Sequence, residues 1–245
     1  MEIRSVAIVG SGVMGSQIGQ VLATAGFDVV LHDVSTAQLA GGRERIEHGR
    51  FGLRRGVARG KLPAAEAEAA LGRIRTTSDL AEACRAADLI VEAVPEDIGL
   101  KIAVFRRLDE LAPPHAILAS NTAGLSITAL AQATDRPAQV IGWHWFQPCA
   151  VMKLAEVVVH PGTSSETLDT LLAAARRAGK NPVVVKDQPL TWGFVGNRIN
   201  RAVRQEAARI VAEGIATPEQ VDQIMRDGFG WPMGPFELQR GDALR

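Results

Sequence analysis

The feature that most constrains how this chain can fold is a glycine turn near its start. A short apolar run, Val6-Ala-Ile-Val9, gives way to Gly10-Ser-Gly12-Val-Met-Gly15, and helical spacing follows from Met14 to Ala25. A strand that turns on glycine into a helix leaves free backbone N–H groups facing outward, an arrangement that favours an anion. Each glycine has its own reason: Gly10 allows the tight turn, Gly12 lets the backbone approach a pyrophosphate, and Gly15 allows close packing of helix on strand. The second apolar run ends at Leu31-His32-Asp33, which places a carboxylate about 20 residues beyond the turn, where a ribose would lie. Asp33 would accept hydrogen bonds from the adenosine hydroxyls and repel a 2′-phosphate, so the expected cofactor is NAD. Gly10, Gly12, Val13, Met14, Gly15 and Asp33 are the expected contacts.

The rest of the chain agrees with that start. Short β-branched runs at Val6–Val9, Val29–Leu31, Ile74–Thr76, Leu89–Ala93, Ala116–Ala119, Val140–His144, Ala155–Val159 and Pro182–Val185 alternate with helical patterns, the signature of βαβ units around a parallel sheet. Several runs lack polar alternation, as strands covered on both faces should. The helical stretches are Met14–Ala25, Ala37–Arg55, Leu80–Ala86, Leu100–Leu111 and Ser165–Ala178, and Gly56–Leu62 reads as the turn of a helical hairpin inserted between the second and third strands. After Val185 the strands stop. Phe194–Val211 is amphipathic, Gly214 suits a helix end, and Thr217-Pro218-Glu219 opens another helix with an N-cap, a proline at its first position and an acidic first turn. Gly228–Pro235 reads as a loop. The expected fold is a Rossmann-type doubly wound α/β domain with a helical hairpin insertion over residues 1–187, followed by a small, shortened all-helical domain over 188–245.

Composition removes whole classes of function. With 27 Lys+Arg against 27 Asp+Glu the net charge is zero, so no general field draws the chain to nucleic acid or to anionic lipid. No apolar run approaches the roughly 20 residues that a membrane-crossing helix needs. Met1-Glu-Ile-Arg leads directly into a strand, without the pattern of a secretory signal, so a cytoplasmic location is expected. Two cysteines, Cys84 and Cys149, are too few for a disulfide framework or a cysteine-rich zinc site, and no metal is expected. Cys149 lies near His144 in sequence, yet its setting favours a small buried hydrophobe over a nucleophile.

One pair of residues suggests chemistry. Trp143-His144-Trp145-Phe146 ends one apolar strand and Glu156 lies in the next, with a reversal containing Pro148 between them. If those strands pair, the carboxylate can orient one imidazole nitrogen while the other takes an alcohol proton near neutral pH. Ser120-Asn121-Thr122 and His144 both lie at strand carboxyl ends, where open α/β sheets hold their ligands.

These residues resemble the L-3-hydroxyacyl-CoA dehydrogenase family. The resemblance rests on Gly10-Ser-Gly-Val-Met-Gly15, Val91-Glu-Ala-Val-Pro-Glu96, Ser120-Asn-Thr122, Gly142-Trp-His-Trp-Phe-Gln-Pro148, Val151-Met-Lys-Leu-Ala-Glu156, Gly193-Phe-Val-Gly-Asn-Arg198 and Gly234-Pro-Phe-Glu-Leu238, in family order across nearly the whole chain. It implies NAD-dependent oxidation of a 3-hydroxyacyl thioester, on CoA or on a carrier protein, to the 3-oxoacyl thioester, or the reverse. In that reading His144 is the base, Glu156 its orienting partner, and Asn197 helps hold the substrate oxygen. Asn121 contacts substrate or nicotinamide ribose, and Glu96 and Lys101 line the cofactor pocket. The family's hairpin binds CoA, which makes Arg54, Arg55, Arg59 and Lys61 candidates for its phosphates. A homodimer is the family's usual state.

Four departures qualify the match. Where the family continues Ser-Asn-Thr with a serine that binds the reacting oxygen, this chain has Ala123; one such donor is worth roughly 2–4 kcal/mol of transition-state stabilisation, and Thr122, Ser120 or a water is left to supply it. Gln147 replaces the usual asparagine, and Leu190-Thr-Trp192 looks like an insertion. The chain also stops soon after Glu237-Leu238, where the family adds helices of its second domain. These departures keep alternatives open: a catalytically weak or inactive NAD-binding homologue, or a dehydrogenase of free 3-hydroxy acids, which the His144–Glu156 pair disfavours.

Overall fold

A computed structural model, in which residues 1–240 are described, divides the chain into two compact units, Met1–Trp192 and Gly193–Arg245. The first is built on a sheet of eight strands: β1 (Ser5–Val9), β2 (Asp28–His32), β3 (Ile74–Thr77), β4 (Leu89–Glu92), β5 (Ile117–Ser120), β6 (Val140–Trp145), β7 (Leu154–Val159) and β8 (Asn181–Lys186). Their spatial order is β3-β2-β1-β4-β5-β6-β7-β8. Every pairing from β3 across to β6 is parallel, β6 pairs antiparallel with β7, and β7 runs parallel to β8. All residues of β4, β5 and β6 are buried, because helices cover both faces and leave no side for polar alternation. The doubly wound α/β reading therefore holds, and each expected strand is present.

The helices of this unit are α1 (Val13–Thr24), α2 (Thr36–His48), α3 (Leu53–Ala58), α4 (Ala64–Gly72), α5 (Leu80–Cys84), α6 (Ile98–Leu111), α7 (Ile127–Ala131) and α8 (Ser165–Arg177). Side-chain caps explain most of their starts: Ser35, Asp79, Asp97, Ser126 and Ser164 each accept from backbone N–H groups of the first turn, as N-caps do. The expected single helix Ala37–Arg55 is in fact two. It breaks after His48 because Gly49 and Gly52 let the backbone fold tightly; a Cβ on Gly52 would sit 2.7 Å from the Glu47 carbonyl oxygen. The hairpin turn placed at Gly56–Leu62 accordingly begins inside α3.

The second unit comprises α9 (Val195–Ala212), α10 (Pro218–Phe229) and α11 (Pro235–Arg240). Thr217 closes a capping box with Gln220, with Pro218 at the first helical position. Gly214 and Gly230 adopt φ of 71° and 67° beyond the ends of α9 and α10, the left-handed geometry glycine supplies at helix ends. The expected loop Gly228–Pro235 is shorter than read, since α10 runs through Gly228. Buried Asp222 accepts from the N–H groups of Phe236 and Glu237 and so caps α11. Among the described residues no helix is long and apolar enough to cross a membrane.

Candidate active site

The glycine turn behaves as its sequence requires, with a division of labour among its three glycines. Gly10 adopts φ of 104°, and a Cβ there would lie 2.6 Å from the Ala93 carbonyl oxygen; a Cβ on Gly15 would overlap the Gly10 carbonyl oxygen. Gly12 is different, because a Cβ on it meets nothing within 4 Å. The protein's own packing demands Gly10 and Gly15, while Gly12 keeps an open approach to the start of α1, whose N-cap it is and which no side chain caps. A cavity of about 600 Å³ opens there, lined by Gly10, Gly12, Val13 and Met14, by Asp33, and by an apolar wall that includes Val94 and Leu100. Free amide groups for a pyrophosphate, a carboxylate for a ribose and an apolar wall for an adenine fit a dinucleotide. Asp33 is held in place: its carboxylate accepts from Ser11 N–H at 2.9 Å, from Ser11 Oγ at 3.0 Å and from Ser35 N–H at 3.2 Å.

His32, overlooked in the sequence, also lines this cavity. It is 4% exposed, its Nδ1 has no hydrogen-bond partner, and burial lowers its imidazole below the usual range against the pull of Asp33 and Asp79. The signal was present as a polar residue inside an apolar run.

On β6, His144 lies directly across the antiparallel ladder from Glu156 of β7. Opposite residues of such a ladder share a face, and the Nδ1 of His144 is 2.8 Å from Glu156 Oε2 with both residues nearly buried. The Phe146 ring packs 4.6 Å from the imidazole. Lys180, buried behind this turn, donates to the carbonyls of Cys149 and Met152 and lies 4.5 Å over the Trp145 ring; burial lowers its ammonium. Cys149 is fully buried and its thiol is pushed up to about 12 by burial, which fits the inert reading. Cys84 and Cys149 are both free thiols.

Around the neighbouring strand ends, the expected residues form a polar network. Asn121 uses its Oδ1 to accept from Trp145 N–H at 2.9 Å. Thr122 is fully buried and donates to Glu96 at 2.6 Å while accepting from Leu125 N–H. Lys101 is 1% exposed and pairs with Glu92 at 2.6 Å and with Glu96 at 3.4 Å. Glu92, a carboxylate inside the apolar run of β4, is fully buried like Thr122; burial pushes its carboxyl up, opposed by Lys101 and Ser120.

The basic residues of the hairpin divide. Arg54 is engaged by Glu47 at 3.4 Å and Glu68 at 2.6 Å, and Arg55 is exposed on α3. Arg59 and Lys61 line a second cavity of about 590 Å³ together with Arg50 and Arg177, and among the described residues no carboxylate lines it. Neither Arg50 nor Arg177 was singled out from sequence. Asn197 lies in the first turn of α9, in the second unit.

The family model described as 3-hydroxyacyl-CoA dehydrogenase, NAD binding domain, matches residues 5–188, and the 3-hydroxyacyl-CoA dehydrogenase C-terminal domain matches 193–241. This chain belongs to the 3-hydroxyacyl-CoA dehydrogenase family. It is 41% identical to a probable 3-hydroxybutyryl-CoA dehydrogenase of Bacillus subtilis over 97% of this chain and 80% of the relative. Against the mitochondrial hydroxyacyl-coenzyme A dehydrogenase of Sus scrofa it is 42% identical, covering 96% of this chain and 75% of the relative. Among solved structures, the 3-hydroxybutyryl-CoA dehydrogenase of Escherichia coli K12 superposes with a TM-score of 0.91 at 40% identity, over 97% of this chain. This chain spans about half the length of that E. coli chain, 49%. Membership makes the protein an NAD-dependent oxidoreductase of this family, and the glycine turn and its cavity belong to an NAD-binding domain.

Proposed function

We propose that this protein oxidises a 3-hydroxyacyl-CoA to the 3-oxoacyl-CoA, or catalyses the reverse, with His144 as the base. The observation that carries the reading is the buried His144–Glu156 pair, 2.8 Å apart, set at a strand end of an NAD-binding sheet. Glu156 at Nδ1 fixes the ring and its tautomer and stabilises the imidazolium. The Nε2 side then takes the proton of the 3-hydroxyl. NAD, when bound, supplies the hydride acceptor. The amides at the start of α1 and Asp33 would hold its pyrophosphate and ribose, and Glu96 with Lys101, which pair with each other outside the lining of that cavity, would complete the cofactor contacts. Asn121 supports the substrate side through the loop it anchors to Trp145. Arg59 and Lys61, with Arg50, supply positive charge for the CoA phosphates, with Arg54 and Arg55 nearby.

NADH formation from 3-hydroxybutyryl-CoA tests the reading: His144→Ala should lower kcat/KM by about 10²- to 10⁴-fold, and equal rates in the two proteins would reject it. Ala123 favours one other reading, a quiet NAD-binding homologue, because it removes a hydroxyl beside the site; tight NADH binding without turnover of any acyl thioester would select that one. The reading extends to a cytoplasmic homodimer. Ile199, Ile215, Ile224 and Phe229 of the second unit are all more than half exposed, apolar surface that a partner subunit would cover, and light scattering of the purified protein measures the stoichiometry.

A further inference from the structure

Glu92 ends β4 with no solvent exposure. One carboxylate oxygen accepts from Lys101 Nζ at 2.6 Å and from Val94 N–H at 2.7 Å; the other accepts from Ser120 Oγ at 2.6 Å. Lys101, in the first turn of α6, also donates to the Val94 carbonyl at 3.1 Å, so the two charges grip Val94 by both its backbone polar groups. Val94 belongs to the wall of the dinucleotide cavity that faces the glycine turn, and its nitrogen lies 3.0 Å from where a Gly10 Cβ would stand. The Ser120 bond runs the other way. Ser120 ends β5, and the next residue, Asn121, holds the backbone N–H beside His144. Glu96 closes the loop from outside, accepting from Thr122 Oγ1 and from Ala123 N–H at 2.9 Å while facing Lys101.

Stability alone is a poor reason for this arrangement. Burying a carboxylate and an ammonium costs desolvation that their attraction does little more than offset, and an apolar pair of similar volume is often as stable. What a closed set of charge-assisted bonds supplies is fixed geometry. We propose that Glu92 is a positioning residue, whose carboxylate sets the spacing between the cofactor-cavity wall at Val94 and the Ser120–Asn121 loop that adjoins His144. The inference rests on the dehydrogenase reading for its catalytic half and on NAD binding alone for the other.

The two halves can be measured separately with Glu92→Gln, Glu92→Asp, Ser120→Ala and the double Glu92→Gln/Ser120→Ala, using NADH fluorescence titration, steady-state kinetics at saturating NAD and thermal unfolding. Ser120→Ala is expected to leave the NADH Kd within about two-fold and to lower kcat by about 10-fold, since small displacements at a reacting centre have effects of this order. Glu92→Gln is expected to raise the NADH Kd and lower kcat, each by about 10-fold, and the double variant to add little, because both changes break the same bond. Variants that lose only melting temperature, with Kd and kcat both within two-fold of wild type, would overturn the proposal and leave Glu92 a structural residue. If Glu92→Gln does not fold, Ser120→Ala and Glu92→Asp decide the matter on the same criteria. A wild-type protein that binds NADH but turns over no 3-hydroxyacyl thioester would defeat the dehydrogenase reading, while the Kd of the Glu92 variants would still decide the Val94 half.

Discussion

A single hydrogen bond, from the His144 ring to Glu156 Oε2, carries most of the proposed chemistry at the scale of residues. Replacing Glu156 by Gln keeps the size of the side chain but removes the charge that stabilises an imidazolium. The expected result is a folded protein that binds NADH normally and whose kcat falls by about 10²-fold or more; a kcat within two-fold of wild type would detach Glu156 from the reaction. The two thiols make the opposite kind of prediction. Burial pushes Cys84 up to about 11 and Cys149 up to about 12, and thiolate is the reactive form. Neither should be alkylated by iodoacetamide in the native protein at pH 8, and both should react in urea, which mass spectrometry reads directly. His144 and Glu156 were legible in the sequence because each sits inside an apolar run with one Pro-containing reversal between them. Glu92 was not, since its side-chain partners stand 9 and 28 residues away and only the fold brings them together.

Among the elements, the turn between β1 and α1 separates two requirements that a bare motif merges. Gly12→Ala meets no steric obstacle within the protein and should leave the melting temperature nearly unchanged while weakening NADH binding by about 10-fold or more, because a methyl group stands where the pyrophosphate must approach. Gly15→Ala collides with the Gly10 carbonyl and should lower the melting temperature as well. If both variants bound NADH as tightly as wild type, the cavity would not be the cofactor site. Strand positions were readable because β4, β5 and β6 are covered on both faces and therefore appear as unbroken apolar runs. The break between α2 and α3 was not, because the local spacing suits one helix and the decisive feature is the close return of the backbone at Gly49 and Gly52.

Across the whole molecule, the folded state constrains His32, whose imidazole burial lowers below its ordinary value of about 6.5. Below that value the unfolded chain takes up a proton that the native protein refuses until its own lowered value is passed. The native state is thus favoured fully above about pH 6.5 and loses stability as pH falls through this window. Urea unfolding at pH 7.5 and 5.5 should show a smaller loss on acidification in His32→Gln than in wild type; equal losses would show that His32 does not contribute. The two-part organisation was legible because the strands cease after Val185 and amphipathic helices follow.

The antiparallel turn of the sheet between β6 and β7 has a consequence for how such a protein can diversify. Side chains along a strand alternate between faces, so sliding β7 by one residue would turn Glu156 to the far side, and sliding it by two would carry it about 7 Å along the strand. A change in the length of the 146–153 loop that leaves this ladder in register therefore leaves His144 facing Glu156.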